Sequence, residues 1–266
     1  MNIIFSSMDL FDSHCHLQDK RLGDDISSVI DRAEKAGVKK ILCCGSTEED
    51  WDDVARLSEK FPILIPAFGL HPWYIDERSE KWLFKLEEML VSFPSAAVGE
   101  IGLDHVIDRK DKSEQLDVFS AQIELAARYN RPVSIHCRKA WGDLISLFEE
   151  KDCVCQEGVI HSYSGSAELI DRLVKFGFFI SFSGSVTFER NRKAQESVKR
   201  TRLDRLLVES DSPDIPPYGV EGVNEPCNMI NVIERIAEIR GVDPQEIARI
   251  TYENAERVFV RRSALD

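Results

Sequence analysis

Six histidines occur in a chain of 266 residues, and four of them stand where metal chemistry would need them. His14 and His16 form an H-x-H pair in FDSHCHL. Residues two apart on an extended segment point to the same side, so both imidazoles aim into one space. His136 ends the run VSIHCR, and His161 follows GVI in GVIHSYSG. Two carboxylates join them, Glu100 in AVGEIGLD and Asp211 in LLVESDSPD. Imidazole and carboxylate without thiolate suit Zn, Mn, Fe or Ni, with Mg at an oxygen-rich half. Three or four protein ligands per ion is normal. Six ligands with one bridging fit two divalent ions about 3.5–4 Å apart, a pair that polarises an ester oxygen and lowers the pKa of water toward about 7. Singly, each residue also has a structural reading: a satisfied core histidine, a buried ion-pair glutamate, an aspartate capping the turn at Ser212-Pro213. Their shared placement is what points to a site.

That placement comes from the elements around them. Short apolar, β-branched-rich runs occur at 8–12, 39–44, 63–68, 96–101, 132–136, 158–161, 178–182 and 205–209. Near-continuous apolar content suits strands buried on both faces, as in a parallel sheet. Helical spacing fills the gaps: 24–36, 48–60 behind a Thr47 cap, 79–91, a helix opened by Asp111 with Glu114 as a capping box, 140–148, 167–176 and 190–199. Gly37 and Gly177 stand where helices end. Two more helices follow the last strand, at 227–240 and from the start Asp243-Pro244-Gln245-Glu246. Strand–helix alternation repeated eight times predicts a single-domain α/β protein, a (β/α)8 TIM barrel over 1–266, with a doubly wound open sheet as the alternative. In a barrel the C-terminal strand ends converge on one mouth, and all six candidate ligands fall at or just after such ends.

The composition sets limits. Hydrophobic residues make up 43% and charged residues 30%, the balance of a folded globular chain. A net charge of -13 gives no overall attraction for polyanions, so an anionic substrate would need bound cations or local basic residues. No apolar run reaches membrane-span length. The seven cysteines show no secreted-domain pattern, and MNIIFSSMDLFD lacks a basic, long-apolar leader. These features predict free thiols and a cytoplasmic setting. Cys153 and Cys155 form C-x-C and Cys43-Cys44 are adjacent, but neither has a partner pair at zinc-finger spacing.

The segments FDSHCHL, GLHPW, VGEIGLD, PVSIHCRKA, GVIHSYSGS, FISFSGSVTF, LLVESDSPDIPP, NEP and NAERVF together resemble the TatD family of metal-dependent deoxyribonucleases, near the amidohydrolases. They run from residue 11 to residue 259. The resemblance implies that His14, His16 and Asp211 hold one metal and His136 and His161 the other, with Glu100 bridging. It places His71 near the substrate, outside the ligand set. It also implies DNA, single-stranded or at 3′ ends, as the substrate of a 3′–5′ exonuclease. The chain departs from the family pattern twice: Lys139 stands where relatives carry an acid, and Glu221 precedes NEP where relatives are often basic.

Asp211 is the expected proton acceptor from water, and Glu100 the central catalytic carboxylate. Arg138, with Lys139 beside it, is the expected phosphate contact. Trp73 and Tyr74 could stack a base, or pack in the core. Arg190, Arg192, Lys193, Lys199, Arg200, Arg202 and Arg205 form a basic run that reads either as a solvated face or as nucleic-acid contact. The competing functions are hydrolysis of a small ester, amide or lactone with the same metal chemistry, and an interaction protein that keeps the barrel without turnover. No membrane or protein partner is expected.

Overall fold

Each apolar run becomes a strand because its side chains find burial on both faces of the sheet. In the computed structural model, which describes residues 8–106, 111–150 and 157–260, the strands are β1 (Leu10–Cys15), β2 (Val38–Cys44), β3 (Leu64–Phe68), β4 (Ala97–Asp104), β5 (Val133–Arg138), β6 (Gly158–Ile160), β7 (Phe178–Phe182) and β8 (Leu206–Val208). They pair in parallel in sequence order, β1 to β8. The helices between them are α1 (Ile26–Lys35), α2 (Trp51–Lys60), α3 (Trp82–Ser92), α4 (Lys112–Arg128), α5 (Trp141–Glu150), α6 (Ile170–Lys175) and α7 (Arg192–Arg200). After β8 come α8 (Met229–Arg240) and α9 (Pro244–Phe259). This is a (β/α)8 barrel, and the open doubly wound alternative is excluded by the strand order.

The seam between β8 and β1 is closed largely by polar groups. Ser210 donates both its N–H and its hydroxyl to the Asp12 carboxylate, at 2.8 and 2.5 Å. Ser13 Oγ donates to the Val208 carbonyl at 3.0 Å, and the Asp211 N–H donates to the His14 carbonyl at 3.0 Å. Burial raises the Asp12 carboxyl to about 7, against the Ser210 bonds that pull it down. The same bonds tie the H-x-H strand to the loop that carries Asp211.

Inside the barrel the side chains lie in layers. Phe11, Leu42, Ala97, Val159, Phe179 and Leu207 form an apolar floor, closed from below by Val258 and Phe259 of α9. Fully burying side chains such as Leu42 and Phe179 contributes about 1.5–3 kcal/mol each. With a period of two, the next inward positions along the strands are Ser13, Cys44, Ser181, His161 and Glu209. The interior therefore changes from apolar to polar toward the C-terminal mouth.

Several local expectations are corrected. His14 lies inside β1 instead of following it. Thr47 does not cap α2: its hydroxyl accepts from the Asp50 N–H in the preceding turn, and Asp50 holds the N-cap position. Asp111 caps α4 through the Ser113 N–H, but Glu114 pairs with Arg78 at 2.8 Å, so the box is not reciprocal. Asp243 caps α9 through the Gln245 N–H at 2.7 Å, as expected. Cys15, Cys43, Cys44, Cys137 and Cys227 are free thiols, while Cys153 and Cys155 lie outside the described residues. No helix among the described residues is long and apolar enough to cross a membrane.

Candidate metal centre

The mouth opens into a cavity of about 1000 Å³, and Glu100 sits at its base. Its two oxygens face two sets of nitrogens. Oε2 lies 3.5 Å from His14 Nε2 and 3.2 Å from His16 Nε2. Oε1 lies 2.8 Å from His161 Nε2, 3.1 Å from His136 Nδ1 and 3.4 Å from His71 Nε2. Asp211 comes within 4.8 Å of His14 and His16 through its ligand oxygen. The structure thus brings His14, His16, Glu100, His136, His161 and Asp211 into one pocket, with His71 against them.

Which ring nitrogen faces inward follows from what its other nitrogen meets. His16 Nδ1 lies 2.7 Å from the Cys44 carbonyl, an acceptor only, so Nδ1 carries the proton and Nε2 presents a lone pair. His136 Nε2 lies 3.1 Å from Asp104 Oδ2, which leaves Nδ1 as the inward atom. His161 Nδ1 lies 3.3 Å from Glu209 Oε1, which frees Nε2. His14 Nδ1 lies 2.8 Å from Ser134 Oγ. Histidine ligands are ordinarily oriented this way, through an outer acceptor. The inward nitrogens then approach in pairs, His14 to His16 at 3.1 Å and His136 to His161 at 3.3 Å. Two lone pairs at that spacing repel, and a shared cation or proton removes the repulsion. The donor set is all nitrogen and oxygen, as divalent ions of the Zn or Mn type require.

His71 differs. Its Nδ1 accepts from the Trp73 N–H at 3.1 Å, so Nε2 carries the proton and donates toward Glu100. Burial lowers its pKa to about 3, which keeps the ring neutral. It is a donor at the cavity wall rather than an open ligand.

The electrostatics demand positive charge. Burial disfavours the Glu100 carboxylate, but the surrounding histidines hold its pKa well below the usual range. Burial opposes a charged His16, yet Glu100 and Asp211 raise its pKa to about 9. His161 is raised in the same way by Glu100 and Glu209. Burial lowers His14 to about 4, with the positive charge on His161 adding to the effect. Burial raises Asp211 to about 7, with Glu209 adding to it and His161 opposing.

Asp104 and Glu209 contact the clustered histidines, and sequence reasoning missed both. Asp104 Oδ2 also accepts from Trp73 Nε1 at 2.8 Å, and its Oδ1 accepts from the Val106 N–H at 2.8 Å. Glu209 Oε1 accepts from the Ser162 N–H at 2.6 Å, and Glu209, His161 and Asp211 form a further possible ligand group. The available signal was position: Asp104 ends β4, and Glu209 stands two residues before Asp211.

Around the rim, Arg138 is exposed and lines the cavity, whereas Lys139 does not. Lys139 adopts φ 55, which turns the chain sharply after Arg138. Glu221 is exposed and does not line the cavity. The nearby NEP segment is structural: the Asn224 amide donates to the Ser210 and Asp214 carbonyls at 2.8 and 2.9 Å, and Glu225 pairs with Arg32. Trp73 and Tyr74 both line the cavity.

A ring of eight parallel strands with a nitrogen-and-oxygen ligand cluster at its C-terminal mouth defines a TIM-barrel metal-dependent hydrolase. The family model for TatD related DNase matches residues 11–260, and the chain belongs to this family. It is 36% identical over 251 residues to YabD of Bacillus subtilis, named an uncharacterized metal-dependent hydrolase, covering 94% of this chain and 98% of that one. It is 29% identical to the mouse protein named putative deoxyribonuclease TATDN3, covering 96% and 90% of the two chains. The crystal structure of YjjV, a TatD homolog from Escherichia coli, superposes with a TM-score of 0.90 at 31% identity, covering 95% of this chain and 98% of that one.

Proposed function

We propose that the protein is a 3′–5′ deoxyribonuclease, working in the cytoplasm from DNA ends with two divalent ions, Zn, Mn or Mg, held at the mouth. The observation that carries this reading is Glu100, whose two oxygens face separate nitrogen sets as a bridging carboxylate would. His14, His16 and Asp211 would hold one ion, and His136 and His161 the other, with Glu100 shared. When bound, such ions act as Lewis acids on a phosphoryl oxygen and lower the pKa of water. The rest falls to the chain. Asp211, beside the His14 and His16 nitrogens at the mouth, would accept a proton from the attacking water. His71 steadies Glu100 through its Nε2–H. Arg138, exposed on the rim, offers a phosphate a planar, bidentate donor. A narrow barrel mouth admits a strand terminus more readily than the middle of a duplex.

Hydrolysis of a small ester is the second reading, and it draws on the acids of the cavity wall, Asp19, Glu49, Asp50 and Asp53. One experiment separates the two. The purified protein is analysed for metal by mass spectrometry, then assayed with Mn or Zn on single-stranded DNA and on a panel of small esters and lactones. The DNA reading expects release of mononucleotides that Glu100→Ala abolishes, together with loss of bound metal in that variant. Absence of nucleotide release with every divalent ion would remove it.

A further inference from the structure

A second groove, of about 490 Å³, runs beside the main cavity and shares Ser185, Asn191 and Ile215 with it. Phe188 lines the groove, and Tyr218 stands edge-on to it with ring centres 5.7 Å apart and planes at 80°. Tyr218 is 75% exposed, an unusual position for a large ring on a surface this acidic. The Arg190 guanidinium lies 5.8 Å from the Phe188 ring centre. Lys193 donates to the Ser164 carbonyl at 2.7 Å, and Ser164 lines the main cavity. Three other cations of the basic run are engaged elsewhere. Arg200 and Arg202 pair with Asp171 and Asp204, and Arg205 packs over Phe179.

We propose that Phe188, Tyr218 and Arg190 form a stacking subsite for the nucleotide one step along from the bond being cut. This rests on the DNA-end reading above and deepens it. Aromatic faces accept any base, and guanidinium and ammonium groups follow the backbone. The charge around the mouth selects the direction. Glu49, Asp50 and Asp53 follow β2, which lies across the ring from β6. They repel a phosphodiester chain, whereas the β7 side presents Arg190 and Lys193. Asp214, on the cavity wall, is paired with Arg21 at 2.8 Å, and Glu189 is the acid within the groove loop itself. A single strand entering the cavity therefore leaves it over β7, with its next base in the corner between Phe188 and Tyr218.

The test compares an oligothymidylate with thymidine 5′-(methyl phosphate), a single-nucleotide ester with no ring beyond the scissile bond, on the metal-loaded protein. Tyr218→Ala and Arg190→Ala are expected to raise KM for the oligomer about tenfold each. They leave kinetics on the single-nucleotide ester unchanged, because that substrate ends before the groove. Tyr218→Phe restores the oligomer KM. Unchanged oligomer KM in both variants overturns the subsite while the deoxyribonuclease reading stands. A wild-type protein that cleaves the methyl ester but no oligomer, with any divalent ion, overturns both.

Discussion

Replacing Asp104 by asparagine isolates the orientation of one metal-facing histidine. In the wild type, Asp104 Oδ2 accepts from His136 Nε2 at 3.1 Å and from Trp73 Nε1 at 2.8 Å, while Oδ1 accepts from the Val106 N–H at 2.8 Å. Although desolvation opposes it, those bonds, led by His136, hold the Asp104 carboxyl down to about 2, so it is charged throughout the working range. An amide cannot satisfy all three donors. If its oxygen faces His136 and Trp73, its NH2 meets the Val106 N–H. If it is flipped, its NH2 meets His136 Nε2, which must give up its proton to accept. The proton then moves to Nδ1, the atom that faces Glu100, and closes that lone pair to a cation. Loss of such an outer acceptor costs about 10–100-fold in metal affinity. A donor left unpaired adds about 1–3 kcal/mol of lost stability. Calorimetric titration of metal-stripped protein with Mn is expected to show one of two binding phases weakened by that factor and the other unchanged. Wild-type affinity in both phases for Asp104→Asn would refute the argument that Asp104 sets the His136 tautomer.

Metal affinity is expected to rise with pH. In the protein by itself His16 is raised to about 9, so between the ordinary histidine value and about 9 its proton must leave before Nε2 can bind. The sign is fixed by that proton: it stabilises the metal-free fold at low pH, and this contribution is lost as pH climbs through about 9. Titrations near pH 6.5, 7.5 and 8.5 should show the apparent dissociation constant falling by up to about tenfold per unit for each proton displaced; a pH-independent constant would contradict it. Gly102→Ala should destabilise the barrel by about 3 kcal/mol or more. Gly102 adopts φ 148, and a Cβ there would lie 1.9 Å from the His136 carbonyl oxygen, where β4 and β5 approach. Urea unfolding measures the loss, and a stability within experimental error of wild type would be inconsistent with that close approach.

Much of this protein was readable before folding, because the relevant signals are local. The eight strands announce themselves as apolar runs such as FFISF, since a strand buried on both faces is mostly apolar instead of alternating with polar residues. His14, His16, Glu100, His136, His161 and Asp211 could be singled out because each closes such a run or stands just beyond it. What stayed hidden depends on pairs far apart in the chain. Asp104 and Glu209 are two among 47 acids until folding sets them against rings 32 and 48 residues away. His71 is set near the substrate by the family resemblance alone until the Trp73 N–H claims its Nδ1 and aims its proton at Glu100. The basic run looks uniform until folding pairs Arg200 and Arg202 with acids, sets Arg190 against Phe188 and ties Lys193 to the Ser164 carbonyl. Composition and periodicity determine which atoms a strand delivers to the rim; only three-dimensional packing decides which nitrogen of each ring looks inward, because the second nitrogen must first find its acceptor.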